Sequence, residues 1–341
     1  MRIIPLEAAR ELGQDSLTRS ARQPANGTRS AFIKQFHCPE PESGVVCFRF
    51  WELVAAAGCP YQCAYCFLQG TLSYVFGRYS LQGALFENWP DMLEEVERWL
   101  AHPVPRMMVL GELQDGLAFD GAYKRLAGRS LTEMLIPLFA AQKKHKLLFL
   151  TKSTLLRYAA SLSPSEQVIF SWSVNAEDAA RRWENGAPSP LRRLESAGTM
   201  KDLGWPVRIR LDPLIPFAGW QRGYGEIIER INELAPQMVT IGALRASANL
   251  PRHAKAFGRD TSIFNLLTTK DPGGFKYRLP DGTHLEMLRF AVEHLDRPRI
   301  KVALCKEHRS VWTALGLDFQ GCHCLLGKND SLAQSNKPRP G

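Results

Sequence analysis

The stretch CPYQCAYCFLQG, residues 59–70, sets the reading of this chain. It places Cys59, Cys63 and Cys66 at a C-x3-C-x2-C spacing, with Gly58, Pro60 and Gly70 suiting a tight loop. Three thiolates can each bind one iron of a cubane cluster and leave the fourth iron without a protein ligand. A structural zinc site asks for four ligands, and this loop offers three cysteines and no histidine. The triad therefore points to an open-iron [4Fe–4S] cluster. An open iron can chelate the amino and carboxylate groups of S-adenosylmethionine (SAM). One electron then splits the sulfonium bond and releases a 5′-deoxyadenosyl radical, chemistry that ordinary side chains do not supply. Tyr65, inside the triad, either packs beside the adenine or carries a radical; simple core packing is the alternative reading.

Working outward, strand-like and helix-like runs alternate. The spacing predicts strands over 107–112, 146–153, 168–175, 207–213, 238–245 and 300–307, with VVCFRFWELVAAAG (45–58) as the first strand. Helices are predicted over 92–100, 131–144, 189–198, 224–235 and 284–295. Such alternation implies right-handed crossovers and a parallel sheet. The expected fold is a partial TIM-type (β/α)6 barrel over 45–305, with a doubly wound sheet as the competing topology. An N-terminal arm and extension (1–44), a C-terminal cysteine-containing extension (306–327) and a disordered tail (328–341) flank it. Polar residues recur where predicted strands end, at Glu112, Lys152, Ser173, Asn175 and Asp212. Parallel α/β sheets place ligands at that end.

The chain has 341 residues and no apolar run long enough to span a membrane. Its start does not read as a secretion signal. Eight cysteines fall into groups at 38 and 47, at 59, 63 and 66, and at 305, 322 and 324. Clustering of this kind favours metal or redox chemistry in a reducing cytoplasm over a disulfide framework. The formal charge of +9 admits nucleic acid or another anionic partner.

The cluster motif resembles that of the radical SAM superfamily, and its extension CxYCFLQG resembles the spore photoproduct lyase family. FLTKS (149–153), FSWSVN (170–175) and PFAGWQRGY (216–224) agree, so the resemblance spans roughly 45–305. It implies a partial barrel with the cluster at its mouth, held by Cys59, Cys63 and Cys66. It assigns Lys152 and Ser173 to SAM, with Gly111, Glu112 and Asn175 completing the cofactor set. Glu112 would accept hydrogen bonds from the SAM ammonium; an ion pair with Arg208 or Arg210 is the alternative. The implied activity is lyase repair of a pyrimidine lesion in DNA, fed by flavodoxin or ferredoxin. In the family a cysteine after the second strand returns a hydrogen atom. The matching stretch here, LGELQDGLAFD (110–120), has no cysteine and carries Gln114 in that region. Phe67 also replaces the second tyrosine of the family motif.

Cys305, Cys322 and Cys324, with Cys38 or Cys47 as a fourth, suit a second iron–sulfur cluster or zinc. Alternatively Cys305 is the relocated hydrogen donor. GWQRGY (219–224) and GGFKYRLPDG (273–282) interleave aromatics with positive charge. Arg222, Lys276 and Arg278 could meet phosphates there while Trp220 or Tyr277 stacks on a base; a solvated loop is the alternative. Alternating arginines in RIRLD suit the barrel lining, neutralising SAM or Asp212. Three functions follow: radical repair of DNA, radical modification of a peptide or small metabolite, or non-enzymatic, metal-bearing nucleic-acid binding.

Overall fold

The computed structural model describes residues 3–5, 31–36, 43–47, 50–71, 83–271 and 276–317. Seven short apolar runs become parallel strands of one sheet: β2 (Trp51–Leu53), β3 (Met107–Leu110), β4 (Lys146–Thr151), β5 (Val168–Val174), β6 (Val207–Leu214), β7 (Met238–Ala243) and β8 (Lys301–Leu304). β1 (Ile33–Gln35) adds antiparallel to β2. The sheet order is β8-β7-β6-β5-β4-β3-β2-β1, strictly the order of the chain. A doubly wound sheet would reverse direction at a switch point. Sequential order with helices outside is the partial barrel, so the doubly wound alternative is overturned.

Crossovers run through α1 (Trp89–Leu100), α2 (Leu131–Ala140), α3 (Glu177–Trp183), α4 (Pro190–Asp202), α5 (Trp220–Leu234) and α6 (Asp281–His294). Ser130 and Glu133 form a capping box that starts α2. Ser189 caps α4 ahead of Pro190. Between β4 and β5 the chain turns without a helix. Among the described residues no helix is long and apolar enough to cross a membrane.

The expected first strand over 45–58 is a correction. It divides into Val45–Val46, β2 and Ala56–Ala57, which pair with Glu307–His308, β3 and Ala84–Phe86 respectively. A run apolar throughout carries no period that could mark these breaks. Ile33–Gln35, from the stretch expected as an arm, supplies the sheet's outer strand.

Alternation along the strands separates two cores. Phe149, Phe170 and Trp172 face the helices, with Phe149 stacked on Phe170 at 5.2 Å and Trp205 edge-on to Phe170 at 5.3 Å. Phe50, Met107, Val109, Leu148 and Ile169 fill the barrel interior. Two residues further along β5, the inward positions change to Ser171 and then Ser173. The interior is thus apolar at its base and polar at the C-terminal mouth.

Asp120 is fully buried and accepts from Thr132 N (3.1 Å) and Thr132 Oγ1 (2.7 Å). Burial pushes its carboxyl up to about 7. The folded state therefore holds a proton that the unfolded chain has released, and stability falls as pH rises from about 4 to about 7. Urea unfolding across that range should show the decline in wild type and a flatter profile in Asp120→Asn.

Candidate functional site

The cysteine loop is fastened by backbone pairing and closed on itself by one amide side chain. Gln62–Cys63 pairs antiparallel with Glu184–Asn185, so that Cys63 faces Glu184, and Ala64 N donates to Trp183 O at 2.7 Å. Gln69 is buried, and its Nε2 donates to the carbonyls of Cys63 (3.2 Å), Ala64 (2.9 Å) and Cys66 (3.0 Å). These bonds close the loop and turn all three thiols onto one wall of a cavity of about 300 Å³.

Burial raises the Cys59 thiol well above its ordinary value, with the Asp115 charge adding to it. Burial likewise pushes Cys63 up to about 12 and raises Cys66. Binding iron must therefore displace protons from these sulfurs. Among the described residues, no three His, Cys, Asp or Glu side chains converge on a single ion. A cubane makes a different demand, since each thiolate bonds its own iron. Three cysteines spread along one cavity wall fit that donor set.

Beside the thiols lies a buried charge network. Lys152, at the end of β4, donates from Nζ to Ser173 Oγ at 2.6 Å, and Ser173 Oγ donates to Asp212 O at 3.1 Å. The Tyr65 hydroxyl donates to Glu184 Oε1. Lys152 Nζ lies 3.7 Å from the same oxygen, while Arg193 Nη2 lies 2.5 Å from Glu184 Oε2. Burial works to raise the Glu184 carboxyl, but Lys152 and Arg193 outweigh it and hold it at about 2. Asn175 is fully buried behind this wall, donating to Glu184 (3.3 Å) and Pro213 O (3.1 Å).

The loop after β3 forms the floor. A side chain at Gly111 (φ +138°) would put its Cβ 2.3 Å from Leu150 O, so only glycine lets the two backbones approach. Asp115 ties this loop to β4, accepting from Leu117 N, Ala118 N, Thr151 Oγ1 and Lys152 N at 2.6–3.0 Å. Gln114 is buried with Oε1 accepting from Ala56 N; its Nε2 has no partner among the described residues.

The far wall carries Cys305. Its sulfur lies 3.1 Å from Arg210 Nη2, and Arg210 pairs with Asp212 at 2.7 Å. Burial pushes the Cys305 thiol up to about 12 despite Arg210. Arg245 donates to the carbonyls of Cys305 (2.6 Å) and Lys306 (2.7 Å) and pairs with Glu307 at 2.9 Å.

A family model described as spore photoproduct lyase matches residues 50–244. The chain belongs to the spore photoproduct lyase family. It is 24% identical over 190 residues to the spore photoproduct lyase of Bacillus subtilis (strain 168), covering 54% of this chain and 51% of that protein. It is 23% identical over 208 residues to that of Geobacillus sp. (strain Y412MC61), covering 60% and 56%. The chain thus spans about half the length of the curated relatives it matches. A solved spore photoproduct lyase complexed with dinucleoside spore photoproduct superposes with a TM-score of 0.63 at 19% identity, covering 75% of this chain and 76% of that one. A mutant with bound AdoMet and dinucleoside spore photoproduct gives 0.60 at 20% identity, covering 73% and 74%. The partial barrel is the fold of these structures.

Within this family fold, the structure gathers Cys59, Cys63, Cys66, Tyr65, Gly111, Glu112, Lys152, Ser173, Lys276 and Cys305 around one cavity. Cys47 joins them. Glu112 lines the same cavity as Arg210, and Arg210 pairs with Asp212. Cys38, Cys322 and Cys324 lie outside the described residues. Trp220, expected as a stacking surface, is a correction: it begins α5 and is buried edge-on to Phe290 at 5.2 Å. Arg222 is exposed on α5 beside Glu226. Tyr277 is exposed, and Arg278 pairs with Asp281 at 2.6 Å. Sequence reasoning missed Glu184, Arg193 and Arg245. Their charges lie in helix-flanking or strand-end segments whose partners are set by tertiary packing.

Glu184→Ala should cost roughly 3–5 kcal/mol in urea unfolding, because two buried cations lose their counter-charge. A loss below about 1 kcal/mol would place the network among weak surface pairs and refute its structural role.

Proposed function

We propose that this chain is a radical SAM enzyme that opens a pyrimidine lesion in DNA. The observation that supports this most directly is the single cavity at the barrel mouth, with the thiol triad on one wall and the protonated Cys305 thiol on another. A bound [4Fe–4S] cluster with SAM would supply a 5′-deoxyadenosyl radical. Cys59, Cys63 and Cys66 would hold three irons. Lys152 offers its ammonium to the SAM carboxylate, with Ser173 fixing that ammonium from 2.6 Å. Glu112 offers its carboxylate to the SAM ammonium, and Gly111 keeps the adjoining backbone low. Asn175 acts behind them, by holding Glu184.

The chain's own part in the reaction is to return a hydrogen atom. Gln114, near the family's donor position, has no weak bond to hydrogen to give. Cys305 does: burial keeps it as S–H, and a thiol can pass its hydrogen to a carbon-centred substrate radical, leaving a sulfur radical. The sulfur radical would return to S–H by taking one electron from the enzyme's electron source and one proton; Tyr65, whose hydroxyl donates to Glu184, packs beside the triad. The substrate class rests on the family and on solved relatives that hold dinucleoside spore photoproduct. Flavodoxin or ferredoxin in the cytoplasm would be the electron source.

The test is anaerobic reconstitution with SAM, reductant and lesion-bearing oligonucleotide. Wild type should release 5′-deoxyadenosine and repaired pyrimidines, and Cys59→Ala neither. Cys305→Ala should still cleave SAM yet repair at least about tenfold more slowly. SAM cleavage without product from any dipyrimidine lesion would favour a peptide or metabolite substrate instead. Iron should stay near about four per chain in both wild type and Cys305→Ala. About eight, falling in the variant, would assign Cys305, Cys322 and Cys324 to a second cluster and overturn the donor role.

A further inference from the structure

Two lysines face the cavity without a carboxylate of their own. Lys276 and Lys306 both line it, and they stand close enough to repel each other. The nearby acids are committed elsewhere. Asp212 is taken by Arg210 and Glu307 by Arg245 and His284, while Asp271, 3.9 Å from Arg278, acts on Lys276 only from beyond ion-pair distance. Among the described residues, neither lysine has an ion-pair partner. Burial, with Lys306 and Arg245 nearby, holds the Lys276 ammonium below the ordinary lysine range. Two like charges confined in a partly desolvated cavity are unfavourable unless an anion joins them.

The backbone holds this arrangement on purpose-built supports. Lys306 has φ +54°, one of two non-glycine residues of positive φ among those described. A side-chain-bearing residue there is strained and persists only when its surroundings enforce it. Arg245 enforces it by gripping the carbonyls of Cys305 and Lys306 together. That one grip turns the donor thiol and the lysine into the same cavity. On the other side, Lys276 sits on the strand Lys276–Arg278, paired to Arg245–Ser247. Alternation sends Lys276 to the cavity and leaves Tyr277 exposed. Lys306 Nζ also lies 4.3 Å from the Phe36 ring centroid, which orients it without neutralising it.

We propose that Lys276 and Lys306 form an anion subsite for the phosphodiester that joins the two nucleosides of the substrate, with Arg245 as its positioning residue. This rests on the lesion-repair reading above and deepens it. The subsite would set the lesion's linkage beside Cys305, since Cys305 and Lys306 are adjacent and share one clamp. It also gives a substrate with a charged linkage an advantage over the same lesion without one.

The experiment measures binding to the reconstituted, non-reduced protein, so that no turnover is needed. The probes are the thymidine dinucleotide with its natural phosphodiester and the same dinucleotide with a neutral methylphosphonate linkage. Wild type should favour the charged linkage by about tenfold or more. Lys276→Gln/Lys306→Gln should bind the two probes equally, and Lys276→Arg/Lys306→Arg should restore the preference. Thermal melting checks that each variant is folded; where the glutamine pair is not, the single Lys276→Gln and Lys276→Arg proteins carry the same comparison. Equal binding of both probes by wild type, or an undiminished preference in folded glutamine variants, overturns the subsite. A wild type that prefers the charged probe but repairs no lesion supports the subsite and sinks the repair reading.

Discussion

The Glu184 carboxylate is the constraint on which the site depends. It is buried, yet it meets Tyr65 from the cysteine loop, Lys152 from the end of β4, Arg193 from α4 and Asn175 from the end of β5. Its own backbone pairs with Cys63. One anion therefore joins the loop that would carry a cluster to the strand ends that would carry a cofactor. A buried carboxylate is tolerable only when cations and donors surround it, and two of those partners, Tyr65 and Lys152, also line the cavity. Without it the cysteine loop would be held to the segment after α3 by backbone pairing alone.

The barrel makes such a meeting place by a simple gradient. Inward-facing positions are apolar at the base, where Met107, Leu148 and Ile169 pack, and polar at the mouth, where Lys152, Ser173, Arg210 and Asp212 gather. Strand alternation keeps the outward positions for the helices throughout. Parallel order then brings every polar strand end to the same side. The far wall follows a second device: Arg245 clamps two successive carbonyls and so fixes the directions of Cys305 and Lys306.

The chain matches the family motif in some places and departs from it in others. The triad, Lys152 and Ser173 stand at the mouth as the resemblance implies. At the expected donor position stands Gln114, whose amide is used to hold Ala56 N. A buried thiol instead occupies the opposite wall at Cys305. The two basic and aromatic stretches also separate: Lys276 turns into the cavity, while Trp220 is part of the core of α5 and Phe290. An aromatic beside arginine reads the same in sequence whether it faces solvent or a neighbouring helix, so residue type alone could not distinguish them.

The sequence by itself determined the alternation of strands and helices, because period and end signals act over a few residues. It also determined the thiol triad, whose meaning lies in spacing along one loop. It placed Glu112, Lys152 and Ser173 at strand ends for the same local reason. Only tertiary structure decided which charges meet. Tyr65 and Glu184 are 119 residues apart, and Arg210 and Cys305 are 95 apart. Their contacts depend on strand order, register and the turn held by Arg245. Electrostatic partnership falls off over a few ångströms in space and carries no signature along the chain, so folding had to bring these groups together before their roles could be read.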